Sequence, residues 1–264
     1  PSISMSNKLK TQLNVDFDYN IADTVFLALP HSVSNEYVKK FYSKIQIIDL
    51  SADFRLDDEA IYEKNYNEKH SVSILLSEFQ YGLVEINREL LIKKNNISVP
   101  GCYPTSVLIP LIPLLQNRII NSKNIIIDSK SGHSGAGKKF DLKNIKNSED
   151  YNFYNYSTNS HRHICEIKQE LIKHSKLTDV LFSFNPHILP NFRGMLSTIY
   201  CDLMPGISKA DVINCVKYIA VNNEFIKFIN DDQRADFFSI QNTNNCILKI
   251  FDHYDSTKII IVSL

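Results

Sequence analysis

Apolar residues reach along this chain in short unbroken runs, separated by polar stretches of helical period. Thr24-Val25-Phe26-Leu27-Ala28-Leu29 and Ile45-Gln46-Ile47-Ile48-Asp49-Leu50 read as strands buried on both faces, as in a parallel sheet. Between them, residues 32–43 put Val33, Tyr37, Val38 and Phe41 on one stripe, which predicts a helix capped by Ser32 or Ser34. Strand, helix, strand in that order forms a right-handed crossover when the strands are parallel. Ligands gather at the carboxyl ends of such strands, here 28–31 and 49–55. Residues 57–67 predict a polar helix, 88–94 a short helix and 97–99 a short strand. The most apolar stretch, 107–115, predicts a core helix. Further strands are expected at 124–129, 180–184, 196–203 and 258–264. Helices are expected at 161–172 and, capped by Ser208, at 208–222. Residues 16–21 read as loop, and 144–158 are polar and aromatic without a clear period.

Composition narrows the class. The 264 residues are 44% hydrophobic and 22% charged, enough for a globular core of one large or two smaller domains. Lys+Arg 29 balances Asp+Glu 29 and no basic block occurs, so nucleic acid is not an expected partner. No apolar run is long enough to cross a bilayer, and the first residues lack the pattern of a signal peptide, so no membrane partner is expected. Cys102, Cys165, Cys201, Cys215 and Cys246 are scattered and odd in number, which argues for a reducing, cytoplasmic setting without disulfides or zinc. Of the 7 glycines none precedes Gly82. The Gly-rich turn that opens a dinucleotide-binding fold is therefore not in view.

Four places carry candidate chemistry. Cys102 lies between the bend Pro100-Gly101 and a helix whose first turn can hold Pro104. Helix-start amides and the macrodipole favour a thiolate there, making Cys102 a nucleophile candidate. The alternative is a small buried residue that caps a core helix. The stretch Lys130-Ser131-Gly132-His133-Ser134-Gly135-Ala136-Gly137-Lys138-Lys139 can turn amides toward an anion or a flat ring, or be an ordinary loop. His161 and His163, two apart in an extended segment, would point to opposite sides, so that only one faces the thiol. Arg193 is suited to a carboxylate or phosphate, or is a surface arginine where a strand begins. No third ligand stands near the histidines at metal-binding spacing, so no metal is expected.

Several of these stretches resemble the N-acetyl-gamma-glutamyl-phosphate reductase family. Pro100-Gly101-Cys102-Tyr103-Pro104-Thr105 resembles its active-site segment, with Val99 where the family has Asn. The 26–31 and 49–55 segments, Tyr81-Gly82-Leu83-Val84-Glu85, the Gly/Ser stretch, His161-Arg162-His163-Ile164-Cys165-Glu166-Ile167 and 186–194 follow in the family's order. His133 replaces an apolar residue and Cys165 a proline. The resemblance implies an α/β fold: a partial dinucleotide-binding, Rossmann-like parallel sheet over 1–101, lacking its first strand, Gly-rich loop and helix, and an α+β catalytic and dimerisation domain with a mixed sheet over 102–264.

The resemblance also implies an NADP(H)-dependent enzyme of arginine biosynthesis. It would convert a small acyl phosphate, N-acetyl-gamma-glutamyl phosphate, to the semialdehyde through a thioester on Cys102, as a homo-oligomer (dimer or tetramer). By the family's spacing His163 is the acid and base; independently, the i, i+3 spacing of His163 and Glu166 would let that glutamate pair with the ring. His31, Ser51, Ser131, Gly132, Ser134 and Gly135 would bind cofactor; Tyr103, His161, His187 and Arg193 would bind substrate. Other readings are a related acyl-phosphate reductase of the aspartate-semialdehyde dehydrogenase type, or a truncated, inactive copy. An Asn at 99 would fix the turn with its side chain; Val99 requires either another way of holding it or an impaired site.

Overall fold

The computed structural model describes residues 22–135 and 152–264. The expected loop at 16–21 and residues 136–139 of the Gly/Ser stretch lie outside them. The chain divides into two units, Pro1–Pro100 and Gly101–Leu264.

The first unit is a parallel sheet in the order β1-β2-β4-β3, made of β1 (Thr24–Leu27), β2 (Gln46–Asp49), β3 (Phe79–Tyr81) and β4 (Asn96–Ser98). Helices α1 (Val33–Phe41), α2 (Glu59–Tyr66) and α3 (Val84–Leu91) and a 3-10 turn (Ser73–Glu78) connect the strands. Leu27, Val38, Phe41, Ile47, Phe54 and Phe79 form the core. Strand β1 is not buried on both faces as expected: among the described residues it lies at the edge of the sheet, and Phe26 is 66% exposed. Neither serine caps α1. Ser32 occupies the cap position at φ 68, and its side chain makes no cap bond. Ser34 instead donates its hydroxyl to Asp49. Helix α3 begins four residues before the expected position and ends short of Lys94.

A buried polar knot sits after β2. Asp49 accepts from the hydroxyls of Ser34 and Ser51 and from the Ser51 amide. Burial nevertheless pushes the Asp49 carboxyl above its ordinary range. Asp53 accepts from the Ser32 amide at 2.9 Å and the Tyr62 hydroxyl at 2.8 Å. The knot also answers the question raised by Val99. Its N–H donates to the Asp49 carbonyl at 2.7 Å, and its carbonyl accepts from Arg55 Nε at 2.7 Å. Backbone pairing and a guanidinium hold the turn without an Asn side chain at 99.

The second unit is a seven-stranded mixed sheet, β6-β7-β5-β8-β11-β10-β9. Its strands are β5 (Ile125–Gly132), β6 (Tyr154–Asn155), β7 (Phe182–Leu189), β8 (Met195–Asp202), β9 (Ile226–Phe228), β10 (Cys246–Asp252) and β11 (Lys258–Ser263). β5 pairs in parallel with β7 and antiparallel with β8. Helix α4 (Cys102–Gln116) packs on β8 and β11 and against α5 (His163–Ser175) and α6 (Lys209–Asn222). Its residues 106–115 are buried all round, as expected of a helix apolar on every face. Ser208 caps α6 in a reciprocal capping box with Asp211. β5 and β7 both run further than expected, through Gly132 and through Pro186 to Leu189. Beneath α4, Ser197 Oγ lies 2.7 Å from both Ser106 Oγ and Ser129 Oγ, so three buried hydroxyls satisfy one another.

Candidate active site

Cys102 is the first residue of α4, preceded by Gly101 in extended conformation. Its side chain is exposed and opens on a cleft of ≈ 570 Å³ within the second unit. Tyr103, Ser131, Gly135, Tyr156, His161 and His163 also line that cleft. Burial holds the thiol of Cys165 up to about 11 and raises those of Cys201 and Cys215.

Both histidines reach the cleft, contrary to the expectation that only one faces the thiol. Their ring centroids are 4.7 Å apart. The reason is local: Arg162 is helical (φ −56, ψ −23), so 161–163 is a turn into α5 and its side chains do not alternate. His163 is the first residue of α5 and 7% exposed. Its N–H donates to His161 Nδ1 at 3.1 Å. That bond leaves the proton of a neutral His161 ring on Nε2, which lies 3.5 Å from the Tyr156 hydroxyl. Tyr156 donates in turn to the Tyr103 hydroxyl at 3.1 Å, and Tyr103 to the His187 carbonyl at 3.3 Å. Burial, then the neighbouring phenol of Tyr156, raise Tyr103 far above its ordinary value, so it stays a neutral donor.

Burial first, and then Arg162, pull His161 down to about 4. Between the ordinary value of 6.5 and about 4, the unfolded chain binds a proton at this ring that the folded chain refuses. Stability therefore falls as pH drops through that window. His70 is lowered by burial and acts in the same direction. Urea midpoints at about pH 7 and about pH 5 should differ more in the wild type than in His161→Gln; equal differences would show that this ring carries none of the effect.

Glu166 is buried at 1% exposure, and its Oε1 accepts the Gly101 N–H at 2.9 Å across 65 residues. The Gly/Ser stretch behaves differently from the anion cradle considered for it. The amides of Gly132, His133 and Ser134 donate to the carbonyls of Gly194, Asn191 and Phe192 at 3.0, 2.8 and 2.8 Å. A Cβ on Gly132 would meet the Asn191 and Phe192 carbonyls at 2.8 Å, so only glycine permits this clasp. A Cβ on Gly194, at φ +129, would stand 2.5 Å from the Phe237 ring.

The remaining expected site residues divide. Ser131 and Gly135 line the cleft with Cys102, whereas Ser134 takes part in the clasp. The His187 ring turns to Asp128 (3.2 Å) and stacks on Phe153, so only its carbonyl reaches Tyr103. Arg193 stacks on Phe192 at 5.0 Å and is not among the described residues lining the cleft. In the first unit, His31 lies 5.8 Å from the Tyr66 ring. The Ser51 hydroxyl is taken up by Asp49 and the Asp53 amide. Tyr156 was missing from the expected set, because its only signal was the two-residue spacing of Tyr154 and Tyr156 in a stretch without period.

For a nicotinamide dinucleotide the described residues fit at one end. Ser131 and Gly135 line the cleft beside Cys102, and Gly135 projects no side chain there; a Cβ on it would stand 2.9 Å from the Ser131 hydroxyl. No Gly-rich turn occurs among the described residues of the first unit. Among the described residues no cluster could hold a metal, and no helix is long and apolar enough to cross a membrane.

Comparison with known proteins places this architecture. The semialdehyde dehydrogenase NAD binding domain matches residues 2–94, and the semialdehyde dehydrogenase dimerisation domain matches 102–264. The fold is shared with aspartate semialdehyde dehydrogenase II from Vibrio cholerae (TM-score 0.67, 14% identity, 94% of this chain and 75% of that one). It is also shared with aspartate semialdehyde dehydrogenase with NADP from Candida albicans (TM-score 0.63, 12% identity, 92% and 72%). A parallel sheet, a mixed sheet and a cysteine-histidine cleft thus define a semialdehyde dehydrogenase-type oxidoreductase.

Sequence relatives are more specific. N-acetyl-gamma-glutamyl-phosphate reductase of Ehrlichia canis is 41% identical over 94% of this chain and 71% of its own length. That of Caldicellulosiruptor bescii is 44% identical over 92% and 70%. The probable chloroplastic enzyme of Arabidopsis thaliana is 38% identical over 98% and 65%. The chain belongs to the N-acetyl-gamma-glutamyl-phosphate reductase family.

Proposed function

We propose that the chain reduces N-acetyl-gamma-glutamyl phosphate to N-acetylglutamate semialdehyde with release of phosphate, using NADPH, in arginine biosynthesis. One observation carries the reading: Cys102, at the start of α4, and His163, at the start of α5, open on one cleft. The names of the relatives supply the substrate.

The Cys102 thiolate attacks the acyl carbon, the C–O bond to phosphate breaks, phosphate leaves, and a thioester on Cys102 remains. Ser131 and Gly135 would hold the ring of a nicotinamide dinucleotide, which would supply the hydride. His163 gives a proton to the oxygen that gains charge. It takes that proton back as the carbon–sulfur bond opens and the aldehyde leaves. Tyr103, Tyr156 and His161 stay neutral and donate or accept hydrogen bonds along the wall. In this reading the chain works as a homo-oligomer, a dimer or tetramer, and the match to a dimerisation domain supports it.

The test is to trap the thioester. Incubation with the acyl phosphate in the absence of NADPH should add the acyl group to Cys102 in the intact-mass spectrum, reversibly with hydroxylamine. Acyl phosphate left intact, or an adduct elsewhere, defeats the reading.

A further inference from the structure

The amides at the start of a helix have no partner within it. Commonly a glutamate at the third helical position reaches back to the N-cap N–H. In α4 that position is Pro104, which can do no such thing. The bond is made from outside: Glu166, in the first turn of α5, accepts the Gly101 N–H at 2.9 Å. Gly101 is the residue immediately before the sulfur-bearing one. Glu166 stands one turn after His163 on the same helix. One short stretch of α5 therefore carries both the imidazole and the carboxylate that fastens the start of the cysteine's helix. A carboxylate 1% exposed requires such a donor.

We infer that Glu166 is a positioning residue: through the hydrogen bond that it accepts from the Gly101 amide it fixes Cys102 relative to His163. The inference rests on Cys102 and His163 being the reacting pair. Glu166→Gln keeps an acceptor of the same shape, and Glu166→Ala removes it. Glu170→Gln is the control. Glu170 is a fully buried carboxylate one turn further along α5, beside His174 at 3.3 Å.

Two measurements decide, on the full chain. The first is hydrogen exchange of the Gly101 amide by NMR, which needs no turnover. Exchange should stay slow in the wild type, Glu166→Gln and Glu170→Gln, and accelerate in Glu166→Ala. The second is steady-state kinetics. Glu166→Ala should lose about 10²-fold in kcat, the scale of a small misplacement, with KM changed about threefold at most. Glu166→Gln should recover kcat to within about fivefold of wild type. Gly101 exchange unchanged in Glu166→Ala, or Glu166→Gln as slow a catalyst as Glu166→Ala, would overturn the inference. If the wild-type chain reduces no acyl phosphate, the functional reading falls, while the exchange measurement still judges the link.

Discussion

Cys102→Ser will lower kcat about 10⁴-fold or more, the scale on which removal of a nucleophile acts. The hydroxyl is a far weaker nucleophile than a thiolate, and no other cysteine can substitute. Burial keeps the thiols of Cys165, Cys201 and Cys215 protonated. Cys102 is the most open of the five to solvent. The same substitution should leave the melting temperature within about 2 °C of wild type, because an exposed side chain contributes little to packing. Steady-state assays together with thermal melts by circular dichroism check both halves. Activity retained at a tenth of wild type would show that the chemistry does not pass through this sulfur.

His163→Asn should reduce kcat by about 10²- to 10⁴-fold, the usual range for a positioned acid and base. Turnover should suffer more than acylation of Cys102, so the variant should accumulate the acyl-enzyme in rapid-quench experiments. One limb of the pH dependence of kcat should disappear with it. His161→Asn provides the contrast. His161 already serves as an acceptor for the His163 amide, and its ring is held neutral down to about pH 4. If the His161 variant lost the pH limb and the His163 variant kept it, the two roles would have to be exchanged.

The first unit was legible because its signals are local. Apolar runs bounded by Pro30 and by Ser51 mark β1 and β2, and the stripe of Val38 and Phe41 marks the helix between them. Ser208 three residues before Asp211 marks the start of α6 for the same reason. What stayed hidden depends on partners distant in the chain. Pro186 looked like the end of a strand, yet β7 continues through it in register with Ser129 of β5. The Gly132–Ser134 amides looked available until the carbonyls at 191–194 claimed them. The short turn at Arg162 reversed the expected divergence of two histidines. The departure at Val99 could be read from sequence but not weighed, because the replacement contacts come from Asp49 and Arg55.

The clasp on Gly132 bears on how the protein is made. β5 has β7 and β8 as its neighbours, and the 191–194 carbonyls and the Phe237 ring complete the wall beside it. All of these leave the ribosome long after Cys102. At a translation rate of roughly 5–20 residues per second, Cys102 and the start of α4 are made seconds before the strands and carbonyls that complete the far wall of the cleft, so the cleft can close only late in synthesis.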